Sequence, residues 1–220
     1  QFGDGAEIDL ATPTENPALL KVRKLALGGF HGCAVIGDAT AKCWGWNEFG
    51  QLGDGTTGKQ AVKRAPVAVV KLAGVQDLAL GENHSCALLE AGEVRCWGSN
   101  EYGQLGDGGR RDSPRPVAVK GLTGVTELVA GGYHTCARLG DGALRCWGSN
   151  GAGQLGDGST QDRRVPTPVI GVGPARQLAA GREHTCALLA DGALWCWGQQ
   201  GGAALGIVAD GGPRPGLVAL

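Results

Sequence analysis

Histidine and cysteine recur together four times in this sequence, in a pattern that could bind a metal, form disulfides or supply general bases. Each copy places a cysteine two residues after the histidine and a second cysteine ten residues further on. The four trios are His31, Cys33 and Cys43; His84, Cys86 and Cys96; His134, Cys136 and Cys146; and His184, Cys186 and Cys196. Thiolate and imidazole are ligands that zinc prefers, and cysteine pairs are the raw material of disulfides. The elements that hold these side chains decide between those uses.

The second copy predicts a β-hairpin that brings its cysteines together. Two runs of alternating side chains flank Glu90-Ala91-Gly92, which predicts a three-residue turn with Gly92 in the left-handed conformation. Counting outward from this turn places Cys86 directly opposite Cys96 in a non-hydrogen-bonded pair, where Cα atoms lie about 4.5 Å apart. A disulfide spans that distance. The same count pairs Cys33 with Cys43, Cys136 with Cys146, and Cys186 with Cys196, although the first turn has Ala39 in place of glycine.

The disulfide interpretation explains the number, the spacing and the facing of all eight cysteines. Zinc is the alternative, with His84, Cys86 and Cys96 on one face, but each trio lacks a fourth ligand and C-x2-C spacing is absent. Four histidines in separate repeats cannot all serve one active site, so we expect buried imidazoles that hydrogen-bond to neighbouring loops. The sequence therefore predicts no catalytic residue, no metal and no cofactor. Because disulfides persist in oxidising compartments, it also predicts an extracellular, cell-surface or periplasmic location.

Each trio belongs to a repeat of about 50 residues that carries signals for four strands. A glycine-rich loop such as 47–55 follows the hairpin, then a strand led by proline, then an apolar strand such as 75–80; the leading prolines are Pro66, Pro116 and Pro168. Four strands in about 50 residues indicate one blade of an all-β propeller. Tryptophan follows each second cysteine, so its side chain is expected on the opposite face of the strand, between blades. These residues are Trp44, Trp97, Trp147 and Trp197.

Counted from each histidine, the chain divides into one partial blade and four repeats within a single propeller domain. The divisions are a partial blade with its third and fourth strands at 1–30, repeats at 31–83, 84–133 and 134–183, and an incomplete, degenerate repeat at 184–220. This count does not give a whole number of four-stranded blades, and the first five residues match 51–55. We therefore expect about four blades in an open arc of a larger propeller, with unpaired edges that permit self-association.

Composition excludes some partners. Twenty basic residues against 21 acidic ones give a formal charge of −1, so no global field favours nucleic acid or an anionic membrane surface. No segment approaches the roughly 18 apolar residues of a membrane-spanning helix. The sequence contains no methionine, which predicts a mature or excised segment.

The repeats carry Trp-Gly-x-Asn-x-x-Gly-Gln-Leu-Gly-Asp-Gly, preceded by Gly-x-x-His-x-Cys-Ala-Leu. This pattern resembles the repeats of the regulator of chromosome condensation family over nearly the whole chain. The resemblance implies a β-propeller, usually of seven blades, in a family that includes a nuclear exchange factor for the small GTPase Ran and a secreted bacterial β-lactamase inhibitory protein. What such members share is protein binding, not a common chemistry. Two cysteines in every hairpin depart from the intracellular members and look most like bacterial secreted or surface arrays.

Positions that differ between copies are the candidates for binding, because a scaffold repeats while a recognition surface need not. Aromatic and basic residues occupy such positions in the loops: Trp46, Phe49, Tyr102, Arg110, Arg111, Arg115, Arg163 and Arg164. Aromatic and arginine side chains are the usual anchors of protein interfaces. The sequence thus predicts a non-enzymatic, secreted or cell-surface scaffold that binds a protein partner. The alternatives are an assembly protein whose arcs associate edge to edge, and an inhibitor or exchange-factor-like regulator of a partner enzyme.

Overall fold

Four antiparallel sheets, each one propeller blade, form the part of the chain described by the computed structural model, which covers residues 3–5, 12, 15–199 and 216–217. The first blade contains β1 (Val22–Leu27), β2 (His31–Ile36), β3 (Ala41–Trp46) and β4 (Val62–Ala68), and the second contains β5 (Val75–Leu80), β6 (His84–Leu89), β7 (Val94–Gly98) and β8 (Ser113–Ala118). The third contains β9 (Val125–Ala130), β10 (His134–Leu139), β11 (Leu144–Gly148) and β12 (Arg163–Pro168), and the fourth contains β13 (Ala175–Ala180), β14 (His184–Leu189), β15 (Leu194–Gly198) and β16 (Gly216–Leu217). The predicted all-β propeller fold of about four blades is confirmed.

The blades begin one strand earlier than repeats counted from histidine. Strand β5 falls within the predicted repeat 31–83, yet it pairs with β6 in the second sheet. Each sheet runs in chain order, because short turns join neighbouring antiparallel strands and leave the strand before each histidine beside it. The described strands therefore make four complete sheets, although the count from sequence was not a multiple of four. In the segment before Val22, where a further strand was predicted, residues 1, 2, 6–11, 13 and 14 lie outside the described residues.

The blades pack side by side in an open arc. Strand β5 contacts β1 and β2, β9 contacts β5 and β6, and β13 contacts β9 and β10. The described sheets do not close into a ring, as the sequence predicted. The first strand of each blade thus lies at the blade-to-blade contact, and the fourth strand lies at the outer edge of its sheet.

The proline-containing strands begin before their prolines, which corrects the prediction that proline leads them. Pro66 and Pro116 lie inside β4 and β8, and Pro168 ends β12. These are the fourth strands of their blades, at a sheet edge. Proline is tolerated there because its missing N–H can face away from the ladder.

The hairpin between the second and third strands of each blade carries the predicted disulfide. Cysteine faces cysteine in all four registers, with Cα atoms 4.0 to 4.1 Å apart. The bonded pairs are Cys33–Cys43, Cys86–Cys96, Cys136–Cys146 and Cys186–Cys196. Gly92, Gly142 and Gly192 adopt positive φ in these turns, and Ala39 takes the same left-handed conformation in the first, with φ of 61°. The predicted register is therefore confirmed in every blade.

The hydrophobic core is divided among the seams, the name used here for the interfaces between consecutive blades. Each seam joins the disulfide face of one sheet to the tryptophan face of the next. Trp97 and Trp147 are fully buried, and Trp197 is 1% exposed. Gly53 lies so close to the Trp97 ring that a Cβ there would approach its Nε1 to 2.8 Å. The prediction that tryptophan fills the space between blades is confirmed for these three seams.

Candidate protein-binding surface

The histidine and cysteine trios are not arranged to bind a metal. Every cysteine in the described ranges is disulfide-bonded, so the sulfur atoms are not free thiolates. His84 Nε2 lies 3.0 Å from the Thr135 hydroxyl of the next blade, which is its hydrogen-bond partner. Among the described residues, no group of three or more His, Cys, Asp and Glu side chains could hold a metal ion.

The histidines instead belong to a hydrogen-bonded clasp across each seam. His84 Nε2 bonds the Thr135 hydroxyl at 3.0 Å, and this hydroxyl donates to the Gln104 carbonyl at 3.2 Å. Trp147 Nε1 donates to the same carbonyl at 2.9 Å. The other two clasps consist of His31, Ser85, Gln51 and Trp97, and of His134, Thr185, Gln154 and Trp197. The bonds reach a strand hydroxyl of the next blade, which corrects the expectation that the histidines bond to loops.

The clasp fixes the protonation of its imidazole. Because the Thr135 hydroxyl donates its single hydrogen to Gln104, it accepts from His84, which therefore carries its proton on Nε2. The Nδ1 atoms of His31, His84 and His134 are buried with no hydrogen-bond partner among the described residues. Burial lowers the pKa of each of these three imidazoles from 6.5 to about 3. They are neutral structural groups, not general bases near pH 7.

One end of the sheets carries the loops that differ between copies, and we call it the loop rim. It comprises the turns between the first and second strands, and the longer loops between the third and fourth strands. The turns are 28–30, 81–83, 131–133 and 181–183, and the longer loops are 47–61, 99–112 and 149–162. In an antiparallel meander these two kinds of connection lie at the same end of a sheet, whereas the disulfide hairpins turn at the other end.

Buried amides hold the longer loops in one shape. Asn100 Oδ1 accepts the Leu105 N–H at 3.0 Å, and its Nδ2 donates to Asp107 at 3.1 Å. Gln104 Oε1 accepts the Tyr102 N–H at 2.9 Å. Equivalent bonds recur from Asn47 and Gln51, and from Asn150 and Gln154. The loop backbone is thus preorganised, which lowers the entropy cost of binding a partner.

The structure places seven of the eight predicted binding residues on the loop rim or near the start of the adjoining edge strands, and Trp46 at the end of β3, directly before a rim loop. Trp46, Phe49, Tyr102 and Arg163 are half-buried, while Arg110, Arg111, Arg115 and Arg164 are exposed. Two of the arginines pair inside the rim, Arg110 with Asp162 at 3.6 Å and Arg163 with Asp157 at 2.6 Å. Whether any of the eight contacts a partner stays a prediction.

The pKa of one rim carboxylate, that of Asp157, is shifted by its surroundings. Burial alone raises the pKa of Asp157, but hydrogen bonds from Arg163, Ser159 and Asn150 outweigh it and hold the pKa below its ordinary value. The Asp157 side chain is only 3% exposed. This carboxylate is therefore committed to the loop and is not available to a partner.

Sequence reasoning missed three residues that lie in the short turns of the rim: Glu82, Tyr133 and Arg182. The Tyr133 ring lies 5.5 Å from the ring of Tyr102, and Arg182 pairs with Glu82 at 3.4 Å across the intervening Gly132 turn. Partial burial raises the pKa of Tyr133, and its contact with Glu82 raises it further. The position before each histidine varies strongly between copies, and that variation was the signal for Tyr133: the four residues there are Phe30, Asn83, Tyr133 and Glu183.

A groove of about 410 Å³ opens on the inner side of the loop rim. Leu27 and Phe30 line one end of it, Glu82 and Gly132 lie along it, and Arg182 lines the other end. Each of the four blades contributes residues from its first turn. The rim is therefore concave and chemically mixed, which suits a protein segment better than a small apolar ligand.

The fold and the surface define a class of protein: a propeller built from repeats, with a constant frame and variable loops. A family model for the regulator of chromosome condensation (RCC1) repeat matches residues 43–88, 91–138 and 141–188, and a second model with the same description matches 22–51, 75–104 and 125–154. The chain belongs to the RCC1 repeat family. The intrachain disulfides are a feature of its hairpins. Among the described residues, no helix is long and apolar enough to cross a membrane.

Two relatives match part of this chain in sequence. The ultraviolet-B receptor UVR8 of Arabidopsis thaliana is 34% identical over 116 residues, which are 51% of this chain and 26% of the receptor. The probable E3 ubiquitin-protein ligase HERC4 of Homo sapiens is 34% identical over 106 residues, 46% of this chain and 10% of the ligase. The chain thus matches 26% or less of the length of these relatives.

Solved structures confirm the architecture. Human WBSCR16 superposes with a TM-score of 0.79 at 22% identity, covering 90% of this chain and 53% of WBSCR16. Yeast RCC1 (Prp20), solved bound to Kap60, superposes with a TM-score of 0.78 at 24% identity, covering 90% and 49%. The chain spans about half the length of these propellers, so the likeness supports the fold and an arc of a larger ring.

Proposed function

We propose that the chain is a non-enzymatic protein-binding scaffold of a secreted or cell-surface bacterial protein. The observation that carries this proposal is the contrast between equivalent clasps in three seams and different side chains on the loop rim. Frame residues such as Trp97 and His84 are buried, while Arg111 on a preorganised loop and Arg115 and Arg164 on the adjoining edge strands are exposed. A surface of aromatic and arginine side chains has the composition of a protein interface.

The solved relatives support a role in protein binding. Yeast RCC1 was solved bound to Kap60, and a second structure of Prp20p concerns its binding properties to Gsp1p and histones. By analogy, the partner of this chain is a protein, and regulating or inhibiting a partner enzyme is one form that binding takes. The nuclear exchange role is disfavoured, because disulfides in every blade suit an oxidising compartment.

Affinity capture from the native medium tests the binding role. The oxidised chain is immobilised beside a variant in which all eight predicted binding residues are alanine, called the rim variant, and beside a control with the exposed Thr126→Val change. We expect a protein that the chain and the control retain and the rim variant loses. Folding of each protein is checked by its thermal transition. Recovery of the same proteins by the rim variant would refute the role of this surface.

Localisation is tested by fractionating the source cells and detecting the chain with an antibody. We expect it in the medium, the periplasm or the cell-surface fraction, where disulfides persist. Detection only in the reducing cytosol would contradict the secreted or surface assignment and leave the binding role to be judged separately.

Self-association is a second candidate function, favoured by the exposed face of the first blade. Val22, Leu25 and Leu27 are 41%, 61% and 69% exposed, whereas the equivalent Val75, Leu78 and Leu80 of the second blade are 1%, 7% and 8% exposed. In the second blade this face packs against the blade before it. A face of this kind favours association with another blade.

Sedimentation over a range of concentrations tests this candidate. We expect association that weakens in the Leu25→Glu variant and persists in a matched Ile170→Glu control, whose isoleucine is 40% exposed on the third blade. A chain that stays monomeric at the highest concentration would eliminate edge-to-edge assembly.

A further inference from the structure

The junction between the second and third blades carries an aromatic pair that the other junctions lack. Tyr102, in the long loop of the second blade, lies with its ring centroid 5.5 Å from that of Tyr133, in the first turn of the third blade. The equivalent positions at the other junctions hold Phe49 with Asn83, and Ala152 with Glu183. The pair is therefore a feature of one junction and not a requirement of the repeat.

Arg164 is fixed directly against the Tyr102 loop. A Cβ on Gly103 would lie 2.7 Å from the Arg164 Cα and 2.9 Å from its Cγ, so β12 packs closely against this loop. The backbone is held by the bond from Gly108 N to the Arg164 carbonyl, at 3.0 Å. The Arg164 side chain is exposed and forms no ion pair with any described residue.

The acids of this part of the rim are engaged inside the loops, whereas several arginines are not. Asp112 accepts the Asn100 N–H at 2.7 Å, and Asp162 accepts the Asn150 N–H at 3.1 Å and pairs with Arg110. Asp107 and Asp157 hold the loops described above. Within the described ranges, the exposed arginines without an ion pair on this rim are Arg111, Arg115 and Arg164. The interleaved acids therefore do not pair with these arginines, which remain available to a partner.

Resting on the proposed protein-binding function, we propose that Tyr102, Tyr133 and Arg164 are the anchor of the binding surface and that the partner presents an acidic segment. The two rings receive an apolar side chain of that segment, and Arg164 and Arg111 pair with its carboxylates. Exposed Glu101 beside Tyr102 repels the continuous charge of a nucleic-acid backbone, which favours a peptide with spaced carboxylates.

Fluorescence anisotropy with defined peptides tests the proposal. The probes are three labelled 15-residue peptides and one single-stranded DNA. In each peptide leucine and glycine alternate with one polar residue, which is glutamate in the first, glutamine in the second and lysine in the third. The DNA carries the same charge as the glutamate peptide. We expect the glutamate peptide to bind at least about tenfold more tightly than the glutamine peptide at low salt, with affinity falling as salt rises. Equal binding of the glutamate and glutamine peptides, or tighter binding of the lysine peptide or the DNA, would overturn the proposal.

Charge reversals on the rim locate the site. Arg164→Glu and Tyr102→Ala are each expected to weaken binding of the glutamate peptide about tenfold or more, whereas Glu101→Lys strengthens it. Arg176→Glu is the matched control, because Arg176 is exposed at the start of β13, away from the rim, and its affinity should be unchanged. Thermal transitions confirm that each variant is folded. Weaker binding in the control alone, or no effect of Arg164→Glu, would overturn the site.

The native partner separates this inference from the proposed function. A protein captured from the native medium by the unchanged chain and equally by Arg164→Glu overturns the anchor and leaves protein binding standing. Loss of capture in Arg164→Glu, with retention by Arg176→Glu, supports both.

Discussion

The seams between blades and the loop rim come from the same repeat but differ in what they keep constant. In the seams the same contacts recur: in each of the three, a histidine bonds a hydroxyl of the next blade, and a tryptophan donates to the backbone carbonyl of a different glutamine. On the rim only the loop-shaping residues recur, and the exposed positions change, as at Phe49, Tyr102 and Ala152. The reactive residue types thus mark the frame, and the proposed binding surface is the part where the repeat varies.

Lowering the pH is expected to weaken the seams more than any single substitution. Histidines in the unfolded chain protonate near pH 6.5, whereas those of the three clasps have a pKa of about 3. The unfolded state therefore binds more protons between these values, and stability is complete above pH 6.5 and falls as the pH drops towards 3. Each imidazole accounts for up to about 1.4 kcal/mol per pH unit, and the three add. Urea unfolding measured from pH 7 to pH 5 checks this.

The variant His84→Gln sharpens that prediction, because its amide can donate to Thr135 but does not titrate. We expect a smaller pH dependence than in the unchanged chain over the same interval. Restricting the measurement to pH 5 and above keeps most carboxylates ionised in both states. An unchanged slope in His84→Gln would show that the clasps do not control the acid response.

Removing one seam tryptophan comes next in size. Trp147→Ala empties a fully buried site and breaks the bond to the Gln104 carbonyl, at an expected cost of about 3 to 5 kcal/mol in unfolding free energy. Arg164→Ala on the rim is the comparison and should change stability by less than about 0.5 kcal/mol. Equal losses measured by urea unfolding would remove the distinction between frame and rim.

Removing the hydroxyl of one clasp is expected to cost less stability than removing a seam tryptophan. Thr135→Val keeps the shape of the side chain but leaves the buried His84 N–H without its acceptor, so we expect a loss of about 1 to 3 kcal/mol. The matched control is Thr126→Val at an exposed position, with an expected change within about 0.5 kcal/mol. Indistinguishable unfolding midpoints for the two variants would argue against the clasp.

The smallest expected change in stability comes from a substitution in the first hairpin, and this substitution stabilises the chain. Ala39 occupies the left-handed position that glycine takes in the other three turns, so Ala39→Gly should stabilise the chain by about 1 kcal/mol. Gly142→Ala is the reverse test and should destabilise it, because the new Cβ would lie 2.8 Å from the Pro174 Cβ. Thermal midpoints of both variants check the sign, and a destabilised Ala39→Gly would contradict the turn assignment.

Spacing alone was enough to predict the hairpins, because a three-residue turn at Gly92 fixes every pair along the ladder, including Cys86 with Cys96. Alternation along the strand likewise placed Trp97 on the opposite face. The blade boundaries were not predictable in this way, because a repeat has the same period wherever its start is placed. Only the pairing of β5 with β6 sets the start.

The site was less accessible to sequence reasoning. The clasp joins residues such as His84 and Thr135 that lie 51 positions apart, and a strand threonine carries no sign of its partner. A hydroxyl directly after the histidine in three of four copies, with Gly32 in the first, was the available signal. Tyr133 was not predicted as a binding residue because tyrosine occupies this position in one copy alone, and its proximity to Tyr102 depends on how two blades pack.

Counting thiols in the chain tests most directly whether the repeated histidine and cysteine motif is frame and not a reactive site. The protein is isolated from its source with thiols blocked against exchange, unfolded without reductant and titrated, with zinc measured on the same sample. We expect close to no free thiols and no stoichiometric zinc, because all eight cysteines are bridged. About eight free thiols accompanied by bound zinc would contradict the frame and return the motif to the role of a metal site.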